Sequence, residues 1–169
     1  MSDLRDVQGL EPLFFRAPSA HNTQPWILEY ERDRIELRFD PARELPAGDP
    51  TRRDLLLSLG AVAEAVLVAA SAGDIALEFE PAFDDLERHA GTFRPADAPY
   101  ETPFTPDDLA QRQTSRLPYA PGRLTDKDLA AARSQVAPGV ELHELPTRDL
   151  VDLNVAAERH VYDSPAVVA

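Results

Sequence analysis

The feature that most constrains the fold is one long apolar segment, LLLSLGAVAEAVLVAA, at residues 55–70. A helix from about Arg53 to Ala72 would be apolar nearly all round, and Gly73 is a natural residue to end it. The apolar run is shorter than the ~18–20 residues that a membrane-spanning helix needs, and it carries Glu64. We therefore expect a helix buried on most sides in a protein core, and no membrane partner.

Two alternating segments before this helix predict a β-hairpin. WILEY (26–30) and IELRF (35–39) each place apolar residues at every second position, and ERDR supplies the turn between them. Asp49 or Thr51 could cap the helix that follows. The other predicted elements are helices within 4–16, 83–91, 107–117, 125–135 and 147–164, and strands at 75–81 (ended by Pro81) and 140–146. Such a sheet is incomplete, so either a second chain completes it or the sequence is a fragment.

Composition narrows the classes of function. The chain has 169 residues, 43% of them apolar, no cysteine, and a net charge of −13 from 30 acidic and 17 basic residues. The acidic surplus disfavours a nucleic-acid partner, because such a partner would need a basic face. The N-terminus lacks a basic region followed by an apolar run, so we expect a cytoplasmic protein. The four histidines form no metal-binding pattern, and no catalytic motif is present, so neither metal ligands nor catalytic side chains are predicted.

The segment APSAHNTQPW, residues 17–26, is the first candidate site. Each residue has a plain structural explanation: the prolines stiffen a loop, Ser19 or Asn22 caps a turn, and Trp26 begins a strand. The set is richer than a turn requires, since Ser, His, Asn, Thr and Gln occur together. Amide side chains offer both donors and acceptors, which suits a planar heteroaromatic ligand.

The segment RQTSRLPY, residues 112–119, is the second candidate. Arg112 and Arg116 are four residues apart and would lean to one side at a helix end, with Thr114 and Ser115 beside them. Two guanidinium groups with two hydroxyls suit a phosphate monoester. On an acidic protein, however, such a pair usually forms surface salt bridges, and the motif alone favours that interpretation.

Together the two segments resemble the nitroreductase family. APSAHNTQPW is similar to that family's flavin loop, PSxxNxQPW, and RQTSR is similar to its phosphate-binding RRSxR segment. Arg112 and Arg116 match the outer arginines, Thr114 stands for the serine, and Gln113 replaces an arginine. The order of the segments, with the QPW loop first, resembles the Acg subgroup, whose longer chains hold two fused nitroreductase-like halves. The resemblance covers most of residues 10–165.

The resemblance implies an α+β fold, a nitroreductase-like three-layer α-β-α sandwich that is incomplete in this chain. Residues 1–91 would form the first nitroreductase-like half, 92–106 a proline-rich surface linker, and 107–169 the start of the second half. By this comparison the sequence is truncated, and its complement would be a homodimer partner or the C-terminal half of a pseudo-dimer.

The resemblance also implies a cofactor and an activity. FMN would bind through Pro18, Ser19, Asn22 and Gln24 along the ring and through Arg112, Thr114 and Arg116 at the phosphate. The expected function is FMN-dependent oxidation of NAD(P)H with two-electron reduction of a nitroaromatic or quinone-like acceptor. The alternatives are a flavin-binding or flavin-sequestering protein with little turnover, and a chain that binds nothing because half of its site is absent.

Overall fold

The computed structural model describes residues 4–115, 122, 124–136, 139–143, 145–163 and 165. The chain divides into two compact units, Met1–Thr114 and Ser115–Ala169, which are described separately.

The first unit is built on a four-stranded antiparallel sheet. The strands are β1 (Trp26–Tyr30), β2 (Ile35–Phe39), β3 (Leu77–Asp84) and β4 (His89–Pro95), in the order β1-β2-β4-β3. Trp26 pairs with Phe39 and Tyr30 with Ile35, which confirms the predicted hairpin and its turn. Strand β4 lies between β2 and β3, so the two hairpins form one continuous sheet.

The long helix, which we label α3, runs from Arg53 to Ala72 as predicted and is followed by Gly73. Eleven of its residues are buried, and nine of these belong to one hydrophobic core that also contains residues of the sheet. Asp49, rather than Thr51, stabilises its first turn, because its Oδ2 accepts the Leu55 N–H at 2.9 Å. Length and composition alone would also let α3 span a membrane; in this protein most of it is buried.

Three shorter helices complete the first unit. They are α1 (Leu4–Gln8), α2 (Glu11–Phe14) and α4 (Pro106–Gln111). Helix α4 begins with a capping box in which Thr105 and Asp108 each accept the other's backbone N–H, and it packs against α2 and α3. It ends at Gln111, so the predicted continuation of this helix is wrong for residues 112–115, which are irregular. Arg116, the other half of the predicted arginine pair, lies outside the described residues.

The two faces of the sheet differ in chemistry. One face, with Ile35, Leu37 and Phe93, joins the helices in a single hydrophobic core. The other face carries charged pairs, including Arg38 Nε with Glu29 at 2.7 Å. Among the described residues of this unit, the helices therefore cover one face, and charged side chains occupy the other.

Two sequence predictions near β4 are wrong. Residues 92–95 belong to this inner strand and not to a surface linker, since Phe93 is fully buried. Residues 83–91 form the end of β3, a turn and the start of β4, not helical turns. Strand β3 also continues through Pro81, which is tolerated because β3 is an edge strand.

The second unit contains α5 (Asp126–Ser134) and α6 (Thr147–Tyr162), near the predicted helices. Helix α5 starts at a capping box between Thr125 and Asp128. Among residues 140–146 the described ones form no strand, so that prediction is wrong for them. The mixture of helices and antiparallel sheet confirms the α+β class, while the three-layer sandwich and the division at 91 and 107 stay predictions.

Candidate functional site

The loop between α2 and β1 has an unusual backbone. His21, Asn22 and Gln24 have φ of 50°, 58° and 49°, within a short 3-10 turn and just after it. This left-handed region costs most residues about 1–2 kcal/mol each, and asparagine tolerates it best. The loop holds three such residues with no glycine among them, and backbone strain of this kind is concentrated at functional sites.

Side chains on both sides fix the loop. Ser19 Oγ accepts the Gln24 N–H at 2.9 Å, closing the turn, and the Gln24 side-chain amide donates to the Phe15 carbonyl at 3.2 Å. Arg43 Nη1 donates to the carbonyls of Thr23 at 3.1 Å and Gln24 at 3.3 Å. Ser19 and Gln24 therefore shape the loop, and among the described residues the amide oxygen and the second amide N–H of Gln24 have no hydrogen-bond partner.

The outer side of the loop presents unused polar groups. Pro18, His21 and Asn22 are exposed. Within the described residues, neither the His21 nor the Asn22 side chain makes a hydrogen bond. Beside them lies an open groove of about 190 Å³ lined by Pro18, Ser19, Ala20, Asp54, Leu57 and Ser58. Leu57, in the second turn of α3, is 64% exposed and gives the groove an apolar wall.

Trp26 lies beneath the loop rather than in the groove. It is buried, begins β1, and its ring centroid is 6.3 Å from that of Phe15. Its role is to anchor the end of the loop in the core.

The arginine motif begins beside the same loop. Arg112, the residue after α4, donates from Nε to the Arg16 carbonyl at 2.7 Å. Arg16 donates from Nε to the Leu109 carbonyl at 3.3 Å and from Nη2 to the Arg112 carbonyl at 3.5 Å. Arg16 immediately precedes the 17–26 segment, so residues 96 positions apart in sequence meet at its start.

The structure thus brings part of the predicted site together. Pro18, Ser19, Asn22 and Gln24 share one loop, and Arg112 contacts the residue before it. Thr114 is exposed in an irregular segment, and Arg116 lies outside the described residues.

Sequence reasoning missed three contributors: Arg16, Arg43 and Leu57. The sequence does contain a signal for Arg16, because this residue directly precedes the candidate loop. Leu57 was assigned to a helix buried nearly all round, yet it is exposed.

A second polar cluster lies on the charged face of the sheet. Glu36, 8% exposed, accepts hydrogen bonds from Thr92 Oγ1 at 2.9 Å and Arg34 Nε at 2.5 Å, and lies 2.7 Å from His89 Nε2. Burial raises the pKa of Glu36, but the hydrogen bonds from Thr92, Arg34 and His89 outweigh it and lower the pKa to about 2. The polar groups of this cluster pair with one another, so we assign it to stability. No group of three or more histidines and acids in the described residues could hold a metal ion.

Comparisons with known proteins agree with the resemblance. No family model matches the chain. A protein of Mycobacterium tuberculosis H37Rv named "Putative NAD(P)H nitroreductase acg" is 35% identical over 156 residues, which are 90% of this chain and 44% of that protein. A second, named "Putative NAD(P)H nitroreductase Rv3131", is 28% identical over 164 residues, 91% of this chain and 46% of that protein.

Over about nine tenths of its length the chain is therefore similar to nitroreductase-like proteins of the Acg type. It spans less than half the length of these relatives.

Proposed function

We propose that this chain forms part of an FMN-dependent NAD(P)H oxidoreductase of the nitroreductase type. The observation that carries the proposal is the strained loop at 17–24, which holds unused polar side chains beside an apolar groove. The names of the relatives support an NAD(P)H-oxidising activity.

The chemistry of the loop suits a flavin. An isoalloxazine ring has two apolar faces and an edge rich in hydrogen-bonding atoms. Leu57 and Pro18 offer apolar contact area, while Asn22 offers an amide that can both donate and accept. The residues present therefore fit the group.

Each residue of the loop has a proposed role. Asn22 would bind the polar edge of the ring, Pro18 would contact its face, and Ser19 would hold the turn that orients both. Arg112, Thr114 and Arg116 would bind the phosphate. When bound, FMN would supply the two-electron redox chemistry between NAD(P)H and a nitroaromatic or quinone-like acceptor. The chain's own residues bind and orient the flavin.

The proposal includes the arrangement of the whole protein. A second copy or a second half would complete a three-layer sandwich and cover the flavin. Residues 1–91 and 107–169 would belong to successive halves in a cytoplasmic protein.

A titration of purified protein with FMN tests the proposal. We expect saturable quenching of flavin fluorescence, followed by steady NAD(P)H oxidation when a nitroaromatic acceptor is added. Binding without turnover would favour the alternative, a flavin-binding or flavin-sequestering protein. Failure to bind FMN at any concentration would contradict both readings.

Asn22→Gly tests the loop itself. Glycine adopts the φ of 58° without strain, so the variant removes the amide and keeps the backbone. We expect FMN affinity to fall about tenfold or more, the value of one or more hydrogen bonds to the ring. The matched control is Asp74→Gly, because Asp74 has a φ of 56° in the turn after α3. Equal affinities in all three proteins would remove Asn22 from the site.

A further inference from the structure

Two arginines face each other at the start of the loop. Arg112 donates to the main-chain carbonyl of Arg16, and Arg16 donates to that of Arg112. Among the described residues neither one pairs with a carboxylate. Other described arginines do pair with acids, among them Arg34, Arg38, Arg43, Arg52, Arg53 and Arg94.

Capping of α4 explains only one member of this pair. Arg16 donates to carbonyls at the C-terminal end of α4, where a cation is favourable. Arg112 donates instead to the main-chain carbonyl of Arg16, so each side chain reaches the backbone of the other residue. Since neither side chain pairs with an acid among the described residues, the pair carries an unbalanced positive charge on a protein of net charge −13.

Most donors of the pair are unused within the described part of the chain. Each guanidinium has five N–H groups, and the two together form three hydrogen bonds to the residues that the structure describes. Guanidinium forks match phosphate oxygens in geometry as well as charge.

We propose that Arg16 and Arg112 together bind the dianion of a phosphate monoester, so that Arg16 is a specificity residue for phosphorylated ligand. This inference rests on the proposed function in taking the phosphate to be that of FMN. Arg16 is two residues from Pro18, which lines the groove, so a ligand in the groove could place its phosphate at the pair. The 2′-phosphate of NADPH is the other source of the same chemistry.

The test compares ligands with and without the phosphate. In Arg16→Gln we expect FMN affinity to fall about ten- to a hundredfold, the loss of a charged hydrogen-bonded contact. Riboflavin affinity should change by no more than about threefold. The matched control is Arg43→Gln: Arg43 also holds the loop through carbonyls but pairs with Asp40, so FMN and riboflavin affinities should fall equally.

Three outcomes would overturn the inference. Equal losses for FMN and riboflavin in Arg16→Gln would make Arg16 a positioning residue only, and no loss would remove it from the site. If Arg16→Gln loses a preference for NADPH over NADH while its FMN affinity is unchanged, the pair binds the 2′-phosphate of NADPH and not the phosphate of FMN. If Arg16→Gln does not fold, Arg16→Lys replaces it, and we expect an intermediate preference for FMN because the charge remains without the fork.

A flavin-free measurement separates this inference from the proposed function. Inorganic phosphate should raise the melting temperature of the wild-type protein, and the increase should be lost in Arg16→Gln but kept in Arg43→Gln. If flavin does not bind but this pattern is found, the proposed function fails and the anion site stands. Equal stabilisation of wild type and Arg16→Gln would reject the anion site whatever the flavin result.

Discussion

Replacing Glu36 by glutamine tests whether one buried carboxylate governs acid stability. Glu36 is ionised in a site where Thr92, Arg34 and His89 all face its oxygens. The substitution keeps the shape of the side chain and removes the charge, much as protonation does.

The magnitude follows from the pKa difference between the folded and unfolded states. The folded-state pKa of Glu36 is lowered from 4.5 to about 2. At about 1.4 kcal/mol per pKa unit, ionisation of this group contributes about 3 kcal/mol to the free energy of unfolding. Because the folded-state pKa is the lower one, this contribution is fully present above about pH 5. It is lost as the pH falls through 4.5 towards 2.

Urea unfolding at a series of pH values measures this contribution. Glu36→Gln should be about 3 kcal/mol less stable than wild type at neutral pH, and the difference should shrink to below about 1 kcal/mol near pH 2. The control is Glu80→Gln on the same sheet face, where the partner Arg94 is 3.4 Å away and both side chains are exposed. An exposed ion pair of this kind contributes about 0–1 kcal/mol to the free energy of unfolding. A difference between wild type and Glu36→Gln that does not change with pH would refute the reasoning.

Three further predictions concern the fold, each measured as a free energy of unfolding. Gly91→Ala should cost at least about 2 kcal/mol, because φ is +154° and a Cβ would lie 2.7 Å from the Glu80 carbonyl oxygen. Gly60→Ala, at an exposed position of α3 where a Cβ meets nothing within 4 Å, should instead add up to about 1 kcal/mol. Asp49→Ala should cost about 1–2 kcal/mol, since it removes the side chain that stabilises the first turn of α3, whereas Thr51→Ala should be neutral. Equal changes in the free energy of unfolding for Gly91→Ala and Gly60→Ala, or for Asp49→Ala and Thr51→Ala, would contradict these assignments.

The sequence predicts α3 and the first hairpin well because each is set by local signals. A run of apolar residues ended by glycine defines the helix Arg53–Ala72, and strict alternation defines the strands Trp26–Tyr30 and Ile35–Phe39. The charged residue inside the apolar run is explained instead by a tertiary contact, because Glu64 accepts a hydrogen bond from the Tyr100 hydroxyl at 3.0 Å.

The second hairpin was missed because its signals conflict. A proline normally ends a strand that lies inside a sheet. Strand β3, however, is an edge strand and continues past Pro81. Gly91 interrupts the apolar pattern of β4 because it pairs with Pro81 and has no room for a side chain. Neither the edge position nor the crowding is visible before the order of the strands is known.

In the candidate site, too, some features follow from local sequence signals and others depend on tertiary packing. Local chemistry identified the loop, since a crowded polar segment between two prolines is visible in the sequence. The contact between Arg16 and Arg112 depends instead on how α4 packs against α2 and α3, which no local pattern specifies. The spacing of Arg112 and Arg116 predicted a pair on one side of a helix, but α4 ends at Gln111, before the first of these arginines. The residue that Arg112 contacts, Arg16, is 96 positions away and directly precedes the loop, so the phosphate hypothesis now concerns a pair that joins the two motifs. A ligand that carries both a planar ring and a phosphate would suit this geometry, because the proposed anion site then lies next to the loop in the chain.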